Sequence, residues 1–166
     1  ALLSGVSAVM ELPVCYAVSS AEYFAMGAVS LLDKLGCVDA VCFGSECGEI
    51  QILEEIADIL AEEPDDYKAS LKDALKAGLS FPLARQQALK QYAGILSAPN
   101  NILGIEYLKA LKRLDSPIRA YTIRRTGAGY HDTAISHDFS SASAIRANID
   151  SPSVIERQIP KDCLAA

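Results

Sequence analysis

The chain has 166 residues, of which 51% are hydrophobic and 22% charged, so its composition excludes a disordered or low-complexity protein. This length suggests about one domain, on the usual scale of roughly 100–200 residues each. The net charge of −6 argues against non-specific polyanion binding by the whole surface, although a local basic patch is compatible with it. No apolar run reaches the roughly 18 residues that a membrane span needs, and the first residues lack the basic region of a signal peptide.

The cysteines indicate a reducing compartment. There are five, too few for a disulfide scaffold, and their odd number leaves one unpaired. Cys37, Cys42 and Cys47 are spaced five residues apart and no C-x-x-C pair occurs, so we expect no zinc site. We therefore predict reduced, metal-free cysteines and a cytoplasmic protein.

The first elements alternate between strand and helix. Residues 1–3 are expected to end a helix, which indicates that the chain begins inside a longer sequence. Val6–Leu12 is predicted to be a strand, apolar residues at helical spacing predict a helix over Ser20–Leu35 with Gly36 as its stop, and Val38–Phe43 is predicted to be a buried strand. This order is typical of a parallel sheet with helices on both faces.

The rest of the chain is predicted to be mainly helical. The expected elements are helices over 49–63, within 65–96 (two) and over 99–114, a strand over Ile118–Ile123, and a short helix that starts near Ser141 to Ser143. We predict a partial α/β domain over residues 1–150 and the start of a following region over residues 151–166.

Polar motifs follow the predicted strands. Gly44 comes directly after a strand, where ligands of open α/β sheets bind and where glycine lets the backbone approach a nucleotide. Because no G-x-G-x-x-G motif is present, a plain turn is the other interpretation. Arg124 and Arg125 follow the later strand, and two guanidinium groups beside a glycine-containing loop are suited to clamp phosphate oxygens. A solvated strand end is the alternative for these arginines.

Two predicted helix starts carry groups suited to a nucleotide. Asn100 and Asn101 follow a proline and can offer amides to a base or ribose, or simply cap the helix. Ser141 and Ser143 can hold phosphate oxygens, and Arg146 can neutralise charge on a pyrophosphate leaving group. A serine cap with a surface arginine is the alternative here. We expect Gly44, Asn100 or Asn101, Arg124 or Arg125, and Arg146 to line one cleft.

Taken in order, the motifs resemble those of the bacterial tRNA(Met) cytidine acetate ligases. The segments that carry the resemblance are Glu11-Leu12-Pro13, Ser20 to Ala25 with Gly27 to Val29, Phe43 to Glu46, Pro99 to Tyr107, Arg124-Arg125 with Gly129 to Asp132, and Ser141 to Arg146. The resemblance implies a Rossmann-like, HxGH-type α/β nucleotidyltransferase fold with a parallel sheet flanked by helices. The family's N-terminal His-x-Gly-His segment does not occur in this chain, so we expect an N-terminally truncated domain that is inactive on its own.

The same resemblance implies an ATP-dependent ligase. Such an enzyme activates acetate as acetyl-adenylate and acetylates the wobble cytidine of elongator tRNA(Met), with ATP as cosubstrate and Mg²⁺ left open as a cofactor. The residues that match ATP contacts are Gly44, Asn100, Asn101, Arg124 and Arg125, and those that match the catalytic signature are Ser141, Ser143 and Arg146. The cations available for a local tRNA patch are Lys109, Lys112, Arg113, Arg119, Arg124 and Arg125.

Two other functions stay open from the sequence. One is a non-catalytic nucleotide- or RNA-binding remnant that kept the sheet without the chemistry. The other is an adenylyltransferase that acts on a small phosphorylated metabolite. The sequence gives neither the tRNA-binding residues nor the oligomeric state.

Overall fold

A computed structural model of the chain describes residues 2, 5–126, 135 and 140–160. The chain divides into two compact units, one of Leu12–Arg125 and one of Ala1–Glu11 with Thr126–Ala166. Because compactness alone does not define a folding domain, the domain limit expected at residue 150 stays a prediction. Apart from Leu2, the helix end expected at residues 1–3 lies outside the described residues, as does most of the glycine-containing loop after Arg125.

Helices make up most of the larger unit. The larger unit contains α1 (Val14–Ala17), α2 (Ala21–Leu35), β1 (Ala40–Ser45), α3 (Ile50–Glu62), α4 (Asp65–Lys76), α5 (Phe81–Ala88), a 3₁₀ turn (Lys90–Tyr92), α6 (Ala93–Leu96), α7 (Pro99–Arg113) and β2 (Arg119–Arg124). The described residues of the smaller unit form α8 (Ala142–Ala147) and α9 (Pro152–Ile155). No helix among the described residues is both long and apolar enough to cross a membrane.

The two strands form a parallel pair, as the sequence predicts. The register runs from Ala40 opposite Arg119 to Ser45 opposite Arg124. The predicted first strand, Val6–Leu12, is wrong, because these residues lie in no strand or helix. A strand exists only as part of a hydrogen-bonded ladder, and the sheet of the described residues contains β1 and β2 alone.

Helices cover one face of this sheet. On the covered face Phe43 packs against the core and its ring lies 5.7 Å from that of Tyr107 in α7. On the opposite face Tyr121 is 49% exposed and Ile123 is 66% exposed. Within the larger unit, strand side chains thus alternate between a side covered by helices and an open side.

Helix α7 is the centre of the larger unit. It contacts α2, α3 and β1, and its buried Ile105 and Leu108 belong to the same core as Leu53 and Ile56 of α3. Gly104 permits the close approach of α7 to the sheet, since a Cβ atom there would lie 2.5 Å from the Phe43 ring. This contact explains a glycine in mid-helix, where it costs helix propensity.

Candidate functional site

The carboxyl ends of β1 and β2 meet at one edge of the sheet. Ser45, the last residue of β1, pairs with Arg124, the last residue of β2, and the Arg125 backbone N–H donates to the Ser45 carbonyl over 2.8 Å. The loop that follows β1 and the two arginines are therefore neighbours. In open α/β sheets this edge is where ligands bind.

A buried hydroxyl closes the loop after β1. Ser45 is fully buried, and its Oγ lies 2.7 Å from the Thr122 Oγ1 of β2 and accepts a hydrogen bond from the Gly48 N–H over 3.0 Å. Thr122 in turn donates to the Phe43 carbonyl. These bonds hold residues 45–48, here called the β1 loop, as a compact turn over the strand ends.

Two glycines bring the backbone close to the arginines. A Cβ atom at Gly44 would lie 3.3 Å from Cγ of Arg125, and one at Gly48 would lie 2.5 Å from Cβ of Arg124. Gly48 also has a φ of +70°, a conformation that side chains other than glycine rarely adopt. The stems of both arginines thus lie against glycine backbone, while both arginines are exposed at the sheet edge.

The Asn101 side chain at the start of α7 holds the β1 loop through hydrogen bonds to its backbone. Its Oδ1 accepts the backbone N–H groups of Glu46 over 2.9 Å and of Cys47 over 3.1 Å, and its Nδ2 donates to the Ile95 carbonyl over 3.1 Å. The residue is only 2% exposed. The buried amide is therefore engaged at both ends with the protein itself.

Glu46 occupies the N-terminus of α7. Its carboxylate accepts the Asn100 side-chain amide over 2.7 Å, the Asn100 N–H over 3.3 Å and the Asn101 N–H over 2.9 Å. Partial burial alone would raise the pKa of Glu46, but the hydrogen bonds from the Asn100 side chain and the backbone amides outweigh it, so the pKa lies below its usual value. Glu46 therefore accepts the first two free N–H groups of α7.

The structure brings five of the predicted site residues to this edge. They are Gly44, Asn100, Asn101, Arg124 and Arg125. Asn101 is buried, and its side chain bonds the β1 loop and the Ile95 carbonyl. Contact of all five residues with ATP stays a prediction.

The remaining predicted residues belong to the smaller unit. Ser141 is 3% exposed and its Oγ accepts the Ala144 N–H over 2.9 Å, which makes it the N-cap of α8. Ser143 lies half-buried in the first turn of α8 and Arg146 is exposed in the last. Their catalytic roles, and a cleft shared with the residues of the larger unit, stay predictions.

The predicted basic patch is smaller than the sequence suggests. Lys109 is buried and its Nζ lies 2.8 Å from the Glu106 carboxylate, which also binds Arg85. Lys112 pairs with Asp58, and Arg113 pairs with Glu22. The cations of the set that are exposed and form no ion pair with a described residue are Arg119, Arg124 and Arg125. Three of the six cations of the predicted patch are thus paired with carboxylates.

The described residues contain no group of three or more His, Cys, Asp or Glu side chains arranged to hold a metal ion. Cys15, Cys37, Cys42 and Cys47 are free thiols, and Cys163 lies outside the described residues. Reduced, metal-free cysteines in the protein stay a prediction, since the arrangement of thiols does not by itself report their oxidation.

Sequence reasoning assigned no role to Ser45, Glu46, Gly48 or Thr122. One signal was present: α7 begins with a proline that follows Ala98, so its start has no side-chain cap of its own. Such a start needs acceptors from elsewhere in the chain. The identity of the acceptor could not be read from the sequence, because Glu46 lies 54 residues from Asn100.

In nucleotide-binding α/β proteins the ligand binds at the carboxyl edge of the parallel sheet, which is where this chain has Gly44 and its two arginines. The family model described as HIGH Nucleotidyl Transferase matches residues 1–166, and the chain belongs to that family. The nucleotidyltransferase fold inferred from the motifs is thereby confirmed.

Within this family the chain is similar to tRNA(Met) cytidine acetate ligases. It is 51% identical over 163 residues to the one from Caldicellulosiruptor bescii, covering 96% of this chain and 40% of that protein. It is 51% identical over 156 residues to the one from Acetivibrio thermocellus, covering 90% of this chain and 38% of that protein. The chain thus spans about two fifths of the length of these relatives.

Two solved structures of Thermotoga maritima TmcAL have the same fold. The apo form superposes with a TM-score of 0.92 at 40% identity, covering 99% of this chain and 42% of that one. The form bound with alpha-thio ATP superposes with a TM-score of 0.87 at 39% identity, covering 99% of this chain and 40% of that one. The resemblance stated from the motifs is confirmed at the level of the family.

Proposed function

We propose that the complete protein is an ATP-dependent ligase that activates acetate as acetyl-adenylate and acetylates the wobble cytidine of elongator tRNA(Met). Its ATP site includes the carboxyl edge of the sheet, with tRNA(Met) as the macromolecular substrate and the cytoplasm as its location. The observation that carries the proposal is the pair of exposed arginines beside Gly44 at this edge. The names of the relatives and the alpha-thio ATP bound to the Thermotoga maritima protein support it.

The electrostatics of the edge suit a nucleotide triphosphate. Arg124 and Arg125 form no ion pair with a described carboxylate, so their charge is available to an anion. Arginine presents forked donors that match phosphate oxygens. The exposed backbone of Gly44 gives a ligand room to approach.

The proposed reaction needs positioning more than a protein nucleophile. An acetate oxygen attacks the α-phosphorus, the bond from that phosphorus to the bridging oxygen breaks, and pyrophosphate leaves with the electron pair. The cytidine amino group then attacks the acetyl carbon, AMP leaves, and the nitrogen loses a proton. Arginines contribute to the first step by neutralising charge that develops on the phosphates.

The catalytic part of the proposal rests on resemblance. Arg146 is assigned to the pyrophosphate leaving group, and Ser141 and Ser143 to the phosphate-holding turn that precedes it. The exposure of Arg146 supports its availability to an anion, whereas the Ser141 hydroxyl already caps α8. Of the two serines, Ser143 is therefore the better candidate for direct contact.

In this proposal, any Mg²⁺ would be bound together with ATP and not by the protein alone. The described side chains form no acidic cluster that would hold the ion. Mg²⁺ at such sites usually keeps several waters and is bound largely through substrate phosphates. No step of the reaction is assigned to it here.

The test is acetate-dependent acetylation of a tRNA(Met) transcript by the complete protein with ATP, detected as acetylated cytidine after nuclease digestion. A transcript with uridine at the wobble position is the matched control and should stay unmodified. Pyrophosphate exchange with a small phosphorylated metabolite but without acetylation would favour the adenylyltransferase alternative. ATP binding without either reaction would favour the non-catalytic remnant.

A further inference from the structure

Helix α7 lacks the means to cap its own start. Its N-cap residue, Ala98, has no side-chain acceptor, and Pro99 at the first helical position has no N–H. The first free donors are the N–H groups of Asn100 and Asn101. Both are accepted by Glu46, a residue of the β1 loop, and no other described side chain accepts them.

The β1 loop and α7 each donate hydrogen bonds to the other. While the Glu46 carboxylate accepts the first N–H groups of α7, the Asn101 Oδ1 accepts the backbone N–H groups of Glu46 and Cys47. Each segment therefore satisfies backbone donors of the other. We call these bonds the Glu46–Asn101 lock. A bond pattern closed in both directions fixes distance and orientation, whereas a single contact would fix only distance.

The lock acts on the residues beside the arginines. A Cβ atom at Gly48, the last residue of the β1 loop, would lie 2.5 Å from Cβ of Arg124, and one at Gly44, which directly precedes the loop, would lie 3.3 Å from Cγ of Arg125. A shift of the β1 loop relative to α7 would therefore move the backbone that lies next to the Arg124 and Arg125 side chains. Binding of a phosphate chain loses strength when its donors must first be ordered.

We propose that Glu46 is a positioning residue for ATP binding: through the Glu46–Asn101 lock it holds the β1 loop so that Arg124 and Arg125 meet the phosphates. This inference rests on the proposed ATP site. Glu46 itself does not touch the nucleotide, since its carboxylate is occupied by the amides of α7. The competing explanation is that Glu46 only stabilises α7 as a helix cap.

A second-site substitution separates the two explanations. Ala98 has extended backbone angles, φ −96° and ψ 126°, which suit an N-cap residue. In Glu46→Gln/Ala98→Asp, the aspartate can accept the Asn100 and Asn101 N–H groups and restore the cap. It cannot restore the tie between α7 and the β1 loop, because residue 98 belongs to the segment that leads into α7.

The experiment compares three variants of the complete protein with wild type. They are Glu46→Gln, Glu46→Gln/Ala98→Asp, and the control Glu49→Gln, which removes an exposed carboxylate with no side-chain cap bond near the same loop. The measurements are the dissociation constant for ATP by calorimetry, the thermal midpoint, and KM and kcat for acetate-dependent exchange of pyrophosphate into ATP.

We expect Glu46→Gln to weaken ATP binding by about tenfold or more, the effect of one lost charge-assisted hydrogen bond. The double variant should regain thermal stability but keep the weakened ATP binding, with KM raised more than kcat is lowered. Glu49→Gln should match wild type. Recovery of ATP affinity together with stability in the double variant would overturn the positioning role, as would unchanged affinity in Glu46→Gln.

The outcome also separates this inference from the proposed function. If wild type binds ATP but shows no acetate-dependent exchange, the ligase function fails while the ATP dissociation constants still decide the role of Glu46. If wild type does not bind ATP at all, both proposals are overturned.

Discussion

The two ends of the short sheet differ in what they offer a ligand. At the amino end of β2, a cleft of about 350 Å³ is lined by α7 residues and by Arg119, but its lysine, Lys112, is paired with Asp58. At the carboxyl end, Arg124 and Arg125 are exposed and form no ion pair with a described residue. The two ends thus differ in unpaired charge: two exposed arginines lie at the carboxyl end and one, Arg119, lies at the amino end of β2.

The two ends of the sheet also differ in how their backbone groups are hydrogen-bonded. At the carboxyl end, main-chain donors of the β1 loop and of α7 are tied together by side chains that are distant in sequence. The amino-end cleft is lined instead by apolar side chains such as Leu108 and Leu111 together with isolated polar ones. The carboxyl end therefore has an internally hydrogen-bonded backbone beside its two arginines.

The largest expected effect separates the two ends directly. Arg125→Ala in the complete protein should weaken ATP binding by about 10–150-fold, the cost of one charge-assisted contact. Arg119→Ala removes an exposed arginine from the other end of the same strand and should leave the ATP dissociation constant close to that of wild type. Isothermal titration with ATP measures both. Equal losses in the two variants would mean that only the overall positive charge matters.

A smaller effect tests the close approach of the β1 loop. Gly48→Ala should destabilise the fold by about 1–3 kcal/mol, because a methyl group would meet the Arg124 stem and the φ of +70° is strained for alanine. Gly78 has a similar φ of +86° but no heavy atom within 4 Å of the Cβ position, so Gly78→Ala pays the strain alone. Urea unfolding should show the larger loss for Gly48→Ala; identical losses would remove the steric argument.

The smallest effect concerns acid stability. The folded pKa of Glu46 lies below the ordinary value of 4.5, so its contribution to stability is present above pH 4.5 and is lost as the pH falls through the folded pKa. Wild type should therefore have a larger free energy of unfolding than Glu46→Gln at neutral pH. The difference between the two should shrink as the pH falls into the acid range. Glu22, whose pKa is also lowered, is common to both proteins and cancels. A gap that is independent of pH would contradict the charged bonds of Glu46.

Much of the fold was predictable because periodicity reports burial. The apolar spacing predicts α2 with its stop at Gly36, which the structure confirms with a left-handed φ of 66°. The two strands after Gly36 are within two residues of their predicted limits. The strand expected at Val6–Leu12 fails because an apolar run reports only a tendency, and pairing needs a neighbouring strand.

The candidate site was predictable in part. Strand ends and arginines are visible in the sequence, so Gly44, Arg124 and Arg125 could be placed at one edge. The role of Asn101 was not visible, since an asparagine at a helix start is suited equally to a ligand, a cap or a loop. The partner of its Oδ1 lies 55 residues away, and only the fold brings the two together.

The central claim is that ATP binds at the carboxyl edge of β1 and β2, and hydrogen–deuterium exchange of the complete protein with and without ATP tests it most directly. The account predicts slower exchange in peptides that cover Gly44–Gly48 and Arg124–Arg125. It predicts no change in peptides that cover residues 117–120, at the other end of β2. Protection confined to residues 117–120, or no protection of the β1 loop at saturating ATP, would contradict the claim.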